Sequence, residues 1–201
     1  YNLKNVDGLA NCTQLTSLKL RHCYNLKNVD GLANCTQLTS LDLTSCEQLD
    51  VPPPQGDLTT RKQVAGYQDK IRIFRIFMAL RDGDGDSLSE FKYITSLDLY
   101  GCKSLQNVDE LSNLTQLTSL GLGSSGFESL PDGLANCTQL TSLTLSGCRS
   151  LKNVDGLANC TQLTSLNLRS CGRVRPKPSS VYMTTRKHVA AYQERIKKSM
   201  K

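Results

Sequence analysis

The chain has 201 residues, 38% of them hydrophobic but only 5% aromatic, has no Trp, and carries a formal net charge of +6. That length suits one or two compact domains built mainly on Leu, Val, Ile and Cys, and the mild basic balance admits an anionic partner without requiring one. The most apolar run, IRIFRIFMAL (71–80), is interrupted by Arg75 and falls far short of a membrane span, and no charged-then-apolar leader opens the chain. It opens inside a repeated phrase, which predicts a segment of a longer protein.

Residues 1–50 hold the phrase NVDGLANCTQLTSL at 5–18. It returns unchanged at 28–41 and 153–166, and in part at 132–143. Aligned by their leucines, copies start at Leu15, Leu38, Ile94, Leu117, Leu140 and Leu163, 23 residues apart within each block. A fixed period of this size predicts a solenoid. The LxLxx core of each copy suits a short strand, because inward side chains recur every second residue. The apolar residues at spacing three that follow suit a turn and a short helical segment. One such coil cannot bury its leucines alone, but stacked coils can, with their strands paired in parallel.

The nine cysteines fall into two columns on the same period: Cys12, Cys35, Cys137 and Cys160 in one, and Cys23, Cys46, Cys102, Cys148 and Cys171 in the other. No CxxC or CxxH pair seeds a zinc site. The columns read as small, buried, reduced apolar fillers, which favours a reducing, cytoplasmic compartment. N-x-T sequons at Asn11, Asn34, Asn113, Asn136 and Asn159 keep secretion open, although they ride on the copied phrase.

The segments LTSLKLRHC (15–23), LTSLDLTSC (38–46), ITSLDLYGC (94–102), LTSLGLGSS (117–125), LTSLTLSGC (140–148) and LTSLNLRSC (163–171) resemble the leucine-rich repeat family. The ninth place is Cys in five copies and Ser125 in one. Cys23…Leu26, Cys102…Leu105 and Cys148…Leu151 are similar to the cysteine-type repeats of plant immune receptors and many bacterial proteins. The Ser125 copy shifts its apolar residues to Phe127 and Leu130 and adds Pro131. The resemblance implies an α/β solenoid, a leucine-rich-repeat horseshoe with a parallel concave β-sheet, interrupted by a helical insert and ended by a second copy of that helix. It implies binding rather than chemistry.

The insert occupies 51–93. It begins with a Pro-rich link, VPPPQGD (51–57), which stops the preceding coil and favours an extended path. TTRKQVAGYQDKI (59–71) then matches TTRKHVAAYQERI (184–196) at a shift of 125 without a gap. Thr59 or Thr60 caps a helix here, and Val64, Tyr67, Ile71, Phe74 and Met78 form one apolar face. Two readings stand: the helix packs over the open end or flank of the solenoid, or it docks a partner or a second copy of the chain. Arg61, Lys62, Lys70, Arg72 and Arg75 lie largely off the apolar face and read as a solvated surface, so nucleic acid is not an expected partner. DGDGDSLSEF (82–91) follows. Asp82, Asp84, Asp86 and Glu90 are candidate ligands of a weak Ca²⁺ site in a degenerate EF-hand-like loop; the competing reading is a plain acidic turn.

Residues 94–172 form the second repeat block, and 173–201 a further Pro-rich link and a basic amphipathic helix. The variable residues between the strand leucines are expected to face outward on the concave sheet. The candidate partner-binding residues are Lys19, Arg21, Asp42, Thr44, Asp98, Tyr100, Asn167 and Arg169, with Tyr100 the best anchor because it combines area with a polar tip. Catalysis is not expected: His22 and His188 are the only histidines, and there is no phosphate loop, nucleophile elbow or ligand cluster. The sequence thus predicts a protein–protein interaction scaffold within a larger multi-repeat protein or assembly. It would bind through the concave face or the TTRKxVAxYQ helices, with no cofactor except weak Ca²⁺ and no evident small-molecule substrate. The alternative is a calcium-responsive adaptor.

Overall fold

The computed structural model describes residues 2–201. They divide into two compact units, the first reaching to Arg75 and the second running from Ile76 to Lys201. The division falls inside a helix, whereas the repeat pattern treats 51–93 as one segment.

Each coil contributes a three-residue strand with its central leucine turned inward. In the first unit β1 (Ser17–Lys19) pairs in parallel with β2 (Ser40–Asp42). In the second, β3 (Ser96–Asp98), β4 (Ser119–Gly121), β5 (Ser142–Thr144) and β6 (Ser165–Asn167) pair in parallel order. Every register step is 23 residues, Leu97 to Leu120 to Leu143 to Leu166, so the expected stacking is observed. Behind the strands the chain returns through short 3-10 turns such as Asp30–Asn34 and Asp132–Asn136. The strand leucines, the turn leucines and the valines before the turns fill one core per unit; a fully buried Leu contributes about 1.5–3 kcal/mol. Leu15, Leu18 and Leu20 of the first coil are only partly buried, since a single coil stacks on them.

The copied phrase has a structural duty at most of its letters. The threonine hydroxyls form a ladder, Thr118 to Thr95 O at 2.9 Å, Thr141 to Thr118 O at 3.0 Å and Thr164 to Thr141 O at 3.1 Å. The cysteines are donors as well as fillers. Cys46, Cys148 and Cys171 each donate Sγ–H to the strand-leucine carbonyl of the preceding coil, Leu20, Leu122 and Leu145, at 3.0, 3.1 and 2.9 Å. Burial pushes the Cys171 thiol up to about 11 and Cys160 to about 12, which keeps them protonated and able to donate. All nine cysteines are free. The residue before each cysteine of the second column, and before Ser125 in the copy that lacks it, takes a left-handed conformation, filled by His22, Ser45, Gly101, Ser124, Gly147 and Ser170.

Both repeat blocks end in the same cap, an added antiparallel strand and a helix. In the first, Leu41 and Leu58 exchange N–H···O bonds of 2.9 Å in both directions. In the second, β7 (Tyr182–Met183) pairs antiparallel with β6. The Pro-rich links therefore lead into strand pairing, which covers the open edge of the parallel sheet. α1 (Arg61–Asp82) begins with a capping box: the Gln63 N–H donates to Thr60 Oγ1, and Gln63 Oε1 accepts from the Thr60 N–H. α3 (Arg186–Ser199) is capped by Thr185, which accepts from the His188 N–H.

The single apolar face expected along α1 is replaced by two. Val64, Tyr67, Gln68 and Ile71 are buried in the first unit's core, and Ile76, Ala79 and Leu80 in the second's, joined there by Leu88 of α2 (Gly85–Leu88) and by Phe91. Phe74 and Met78 are only half-buried. The first unit's stripe thus ends at Ile71, and the buried residues from Ile76 on belong to the second unit's core.

Candidate interaction face

The caps decide what the helices can offer. Gln68 Nε2 donates to Leu32 O and Cys35 O at 2.7 and 2.9 Å, and Gln193 Nε2 donates to Leu157 O and Cys160 O at 2.8 and 2.9 Å. Tyr67 Oη donates to Val51 O and Tyr192 Oη to Pro176 O. The glutamine bonds give a second donor to carbonyls that close a 3-10 turn and already accept a backbone N–H, and the tyrosine bonds tie the helix to its Pro-rich link. The V-x-x-Y-Q-x-x-I side of each helix is thus committed to its own solenoid end, and docking through that apolar side is excluded. Gln68 and Gln193 escaped the sequence reading, although both copies share the dipeptide YQ beside an apolar face.

On the first unit's sheet face the candidates neutralise one another. Arg21 pairs with Asp42 through Nε and with Asp57 through Nη2 at 3.1 Å. Thr44 Oγ1 donates to Asp42 Oδ1 at 2.7 Å, and the Thr44 N–H donates to the same oxygen at 3.1 Å. Asp42 is 2% exposed. Burial alone would push its carboxyl up, but the bonds from Thr44 and Arg21 outweigh that and hold it at about 2. Asp42 is therefore an internal post, not the outward partner contact expected from its place between two leucines. Lys19 stays exposed beside it.

The second unit's face is open. Asp98 and Tyr100 are exposed, and Tyr100, 62% accessible, lies across Gly123. A Cβ on Gly123 would stand 2.6 Å from Tyr100 Cδ2 and 2.8 Å from Ser146 O, so only glycine leaves room for the ring there. The Asp98 carboxylate leans over Gly121 in the same way and accepts the Tyr100 N–H at 3.0 Å. Asn167 accepts the Arg169 N–H at 3.0 Å, and Arg169 is exposed. Asp98, Gly121, Thr144, Asn167 and Tyr182 stand in one register row. Tyr182, 59% exposed, is the member that sequence reasoning missed. It lay hidden in a link whose strand pairing no local pattern announces. Tyr100, two residues past β3, and Tyr182 on β7 thus stand toward opposite edges of a small-residue floor whose outer strands are four strand spacings or about 19 Å apart.

The four acidic candidates are not gathered into a site. Asp82 turns to Arg81, at 2.7 Å, and Asp84 caps α2, accepting from the Ser87 N–H at 3.0 Å and from the Ser87 hydroxyl. Asp86 lies in the first turn of α2, and Glu90 in the 3-10 turn after it. Among the described residues no three His, Cys, Asp or Glu side chains are placed to hold a metal ion. Asp84 alone has a capping duty: a short Asp before a helix satisfies its first free N–H groups. Nor do His22 and Cys23 pair: His22 Nδ1 lies 3.1 Å from Tyr24 Oη, and the Cys23 thiol turns to Arg21 O.

Inward leucines on a 23-residue period, one parallel strand per coil and a 3-10 return are together decisive. The fold is a leucine-rich-repeat solenoid. No family model matches the chain, and no curated protein does. Among solved structures it is similar to an internalin from Listeria monocytogenes (20% identity, TM-score 0.37), covering 81% of this chain and 44% of that one. It is similar to an internalin C2 from the same species (18%, TM-score 0.41; 86% and 74%). A leucine-rich-repeat protein from Leptospira interrogans also matches (15%, TM-score 0.32; 85% and 58%). The chain thus spans less than half of the first internalin. No helix among the described residues is long and apolar enough to cross a membrane.

Proposed function

We propose that the chain is a protein-recognition module whose recognition surface is the second unit's sheet face, from Tyr100 to Tyr182. The observation that carries this reading is the open pair of tyrosines over a glycine and serine floor, where the first unit ties its equivalent positions into ion pairs. Exposed tyrosines anchor interfaces because they bury area at small entropic cost. The gap between them admits a helix of about 10–12 Å diameter or an extended segment. Asp98 and Arg169 set the charges at its two ends. The thiol-to-carbonyl bonds support reading the repeats as the cysteine type, and the free cysteines support a cytoplasmic setting.

The test is capture of binding partners by the wild type and by a Tyr100→Ala/Arg169→Ala/Tyr182→Ala triple variant, with Lys19→Ala as control. Partners lost with the triple and kept with the control support the reading. Gly123→Ala, which displaces the Tyr100 ring, should weaken the same partners at least tenfold. Capture unchanged by the triple would move recognition off this face.

A further inference from the structure

The two caps share a skeleton but not a surface. Segment 173–201 holds nine Lys and Arg against one carboxylate, Glu194, an excess larger than the net +6 of the whole chain. Its counterpart, 48–76, holds five against three, Asp50, Asp57 and Asp69. In the first cap the three arginines are taken up at short range, while Lys62 and Lys70 stay exposed. Arg61 Nη2 donates to Thr36 O at 3.2 Å, Arg72 pairs with Asp69 at 2.7 Å and donates to Ala33 O, and Arg75 lies 3.9 Å from Asp30. In the second, Lys197 pairs with Glu194 at 3.1 Å. Among the described residues, no ion pair or hydrogen bond holds the side chains of Arg186, Lys187, Arg195 and Lys198, all exposed.

At 3.6 residues per turn Lys187, Arg195 and Lys198 lie on the half of α3 opposite its buried Val189, Tyr192, Gln193 and Ile196, with Ala191 between them, and Arg186 flanks the buried side. The composition discriminates among partners. Protein interfaces are built on aromatic anchors, whereas this helix face has none and the helix's only Tyr is buried. A membrane-adsorbing helix inserts its apolar side, and here that side is already packed into the core. A phosphate backbone needs only cations arrayed along its path, and α3 is about 21 Å long against one duplex charge per about 1.7 Å.

We infer that the outer face of α3 binds the phosphate backbone of nucleic acid without reading its sequence. Reading every basic helical face as merely solvated fits the first cap, whose three arginines have local acceptors and whose segment holds three carboxylates against five cations, and fails for the second, with one against nine. This site is separate from the sheet face and stands or falls without it.

The test uses the full chain and short labelled DNA duplexes of two unrelated sequences, with anisotropy followed between about 50 and 200 mM salt. Two matched double variants are compared, Lys187→Gln/Arg195→Gln in the second cap and Lys62→Gln/Lys70→Gln at the equivalent positions of the first. All four residues are exposed, and circular dichroism verifies that both variants fold. The expected result is equal affinity for the two sequences and a linear fall of log K with log salt. The second-cap double should make that slope shallower by about 2, and the first-cap double should leave it unchanged. Absence of binding at the lowest salt would overturn the proposal. So would equal losses from the two doubles, which would mean diffuse charge, and so would tighter binding to phosphatidylserine vesicles or polyglutamate than to the duplexes.

Discussion

Shifting the first block by 125 residues lays Gln68 on Gln193, Tyr67 on Tyr192 and Leu58 on Met183; the glutamine and tyrosine bonds are reproduced within 0.4 Å, and Leu58 and Met183 both pair antiparallel with the last repeat strand. The same shift turns Arg21, Asp42, Thr44 and Asp57 into Ser146, Asn167, Arg169 and Tyr182. The first set closes on itself as an ion-pair network, and the second leaves a cation and an aromatic ring free at the surface. Cap positions are constrained because a solenoid end must cover its last leucines. Sheet-face positions carry no such constraint, so there the copies diverge.

The comparison breaks most visibly at the cap glutamines. Gln193→Leu removes one of the two hydrogen bonds that the Leu157 and Cys160 carbonyls each accept, leaving their backbone N–H donors, and should cost the second unit about 1–3 kcal/mol. Amide exchange should accelerate across β5 and β6 while β1 and β2 stay protected. Gln68→Leu should do the reverse with equal size. If the two effects differed several-fold, the caps would not be energetic equivalents.

A smaller effect separates the faces by pH. Asp42 is held at about 2 in the folded chain against an ordinary 3.8. A depressed carboxyl contributes stability that is complete above its unfolded value and is lost as pH falls from about 4 toward 2. Acid should therefore loosen the first unit through this group, while Asn167, its counterpart, cannot titrate. Asp42→Asn should flatten the acid limb of the first unit's unfolding curve and leave the second's unchanged.

The smallest expected effect is none at all. Millimolar Ca²⁺ should leave the Tm of both units unchanged, because Asp82 and Asp84 are engaged with Arg81 and the first turn of α2. A rise of a few degrees in calorimetry would restore the acidic loop as a ligand site.

The solenoid was legible in the leucine period because stacking identical coils demands identical spacing, and the cap helices were legible in the 125-residue shift. The sequence alone determined which strand leucines point inward, since alternation along a strand is a local property, but it missed Gln68, Gln193 and the second buried side of α1. It could not decide the fate of outward residues. Asp42 and Asp98 occupy the same place in the repeat, yet one is buried under Arg21 and the other is exposed beside Tyr100, because their neighbours come from other coils. Tyr182 and the two glutamines likewise gain their roles from chain segments 15 to 36 residues away. Only the tertiary structure could place them, since hydrogen-bond partners and neighbouring charges are fixed by which coils stack and what closes their ends.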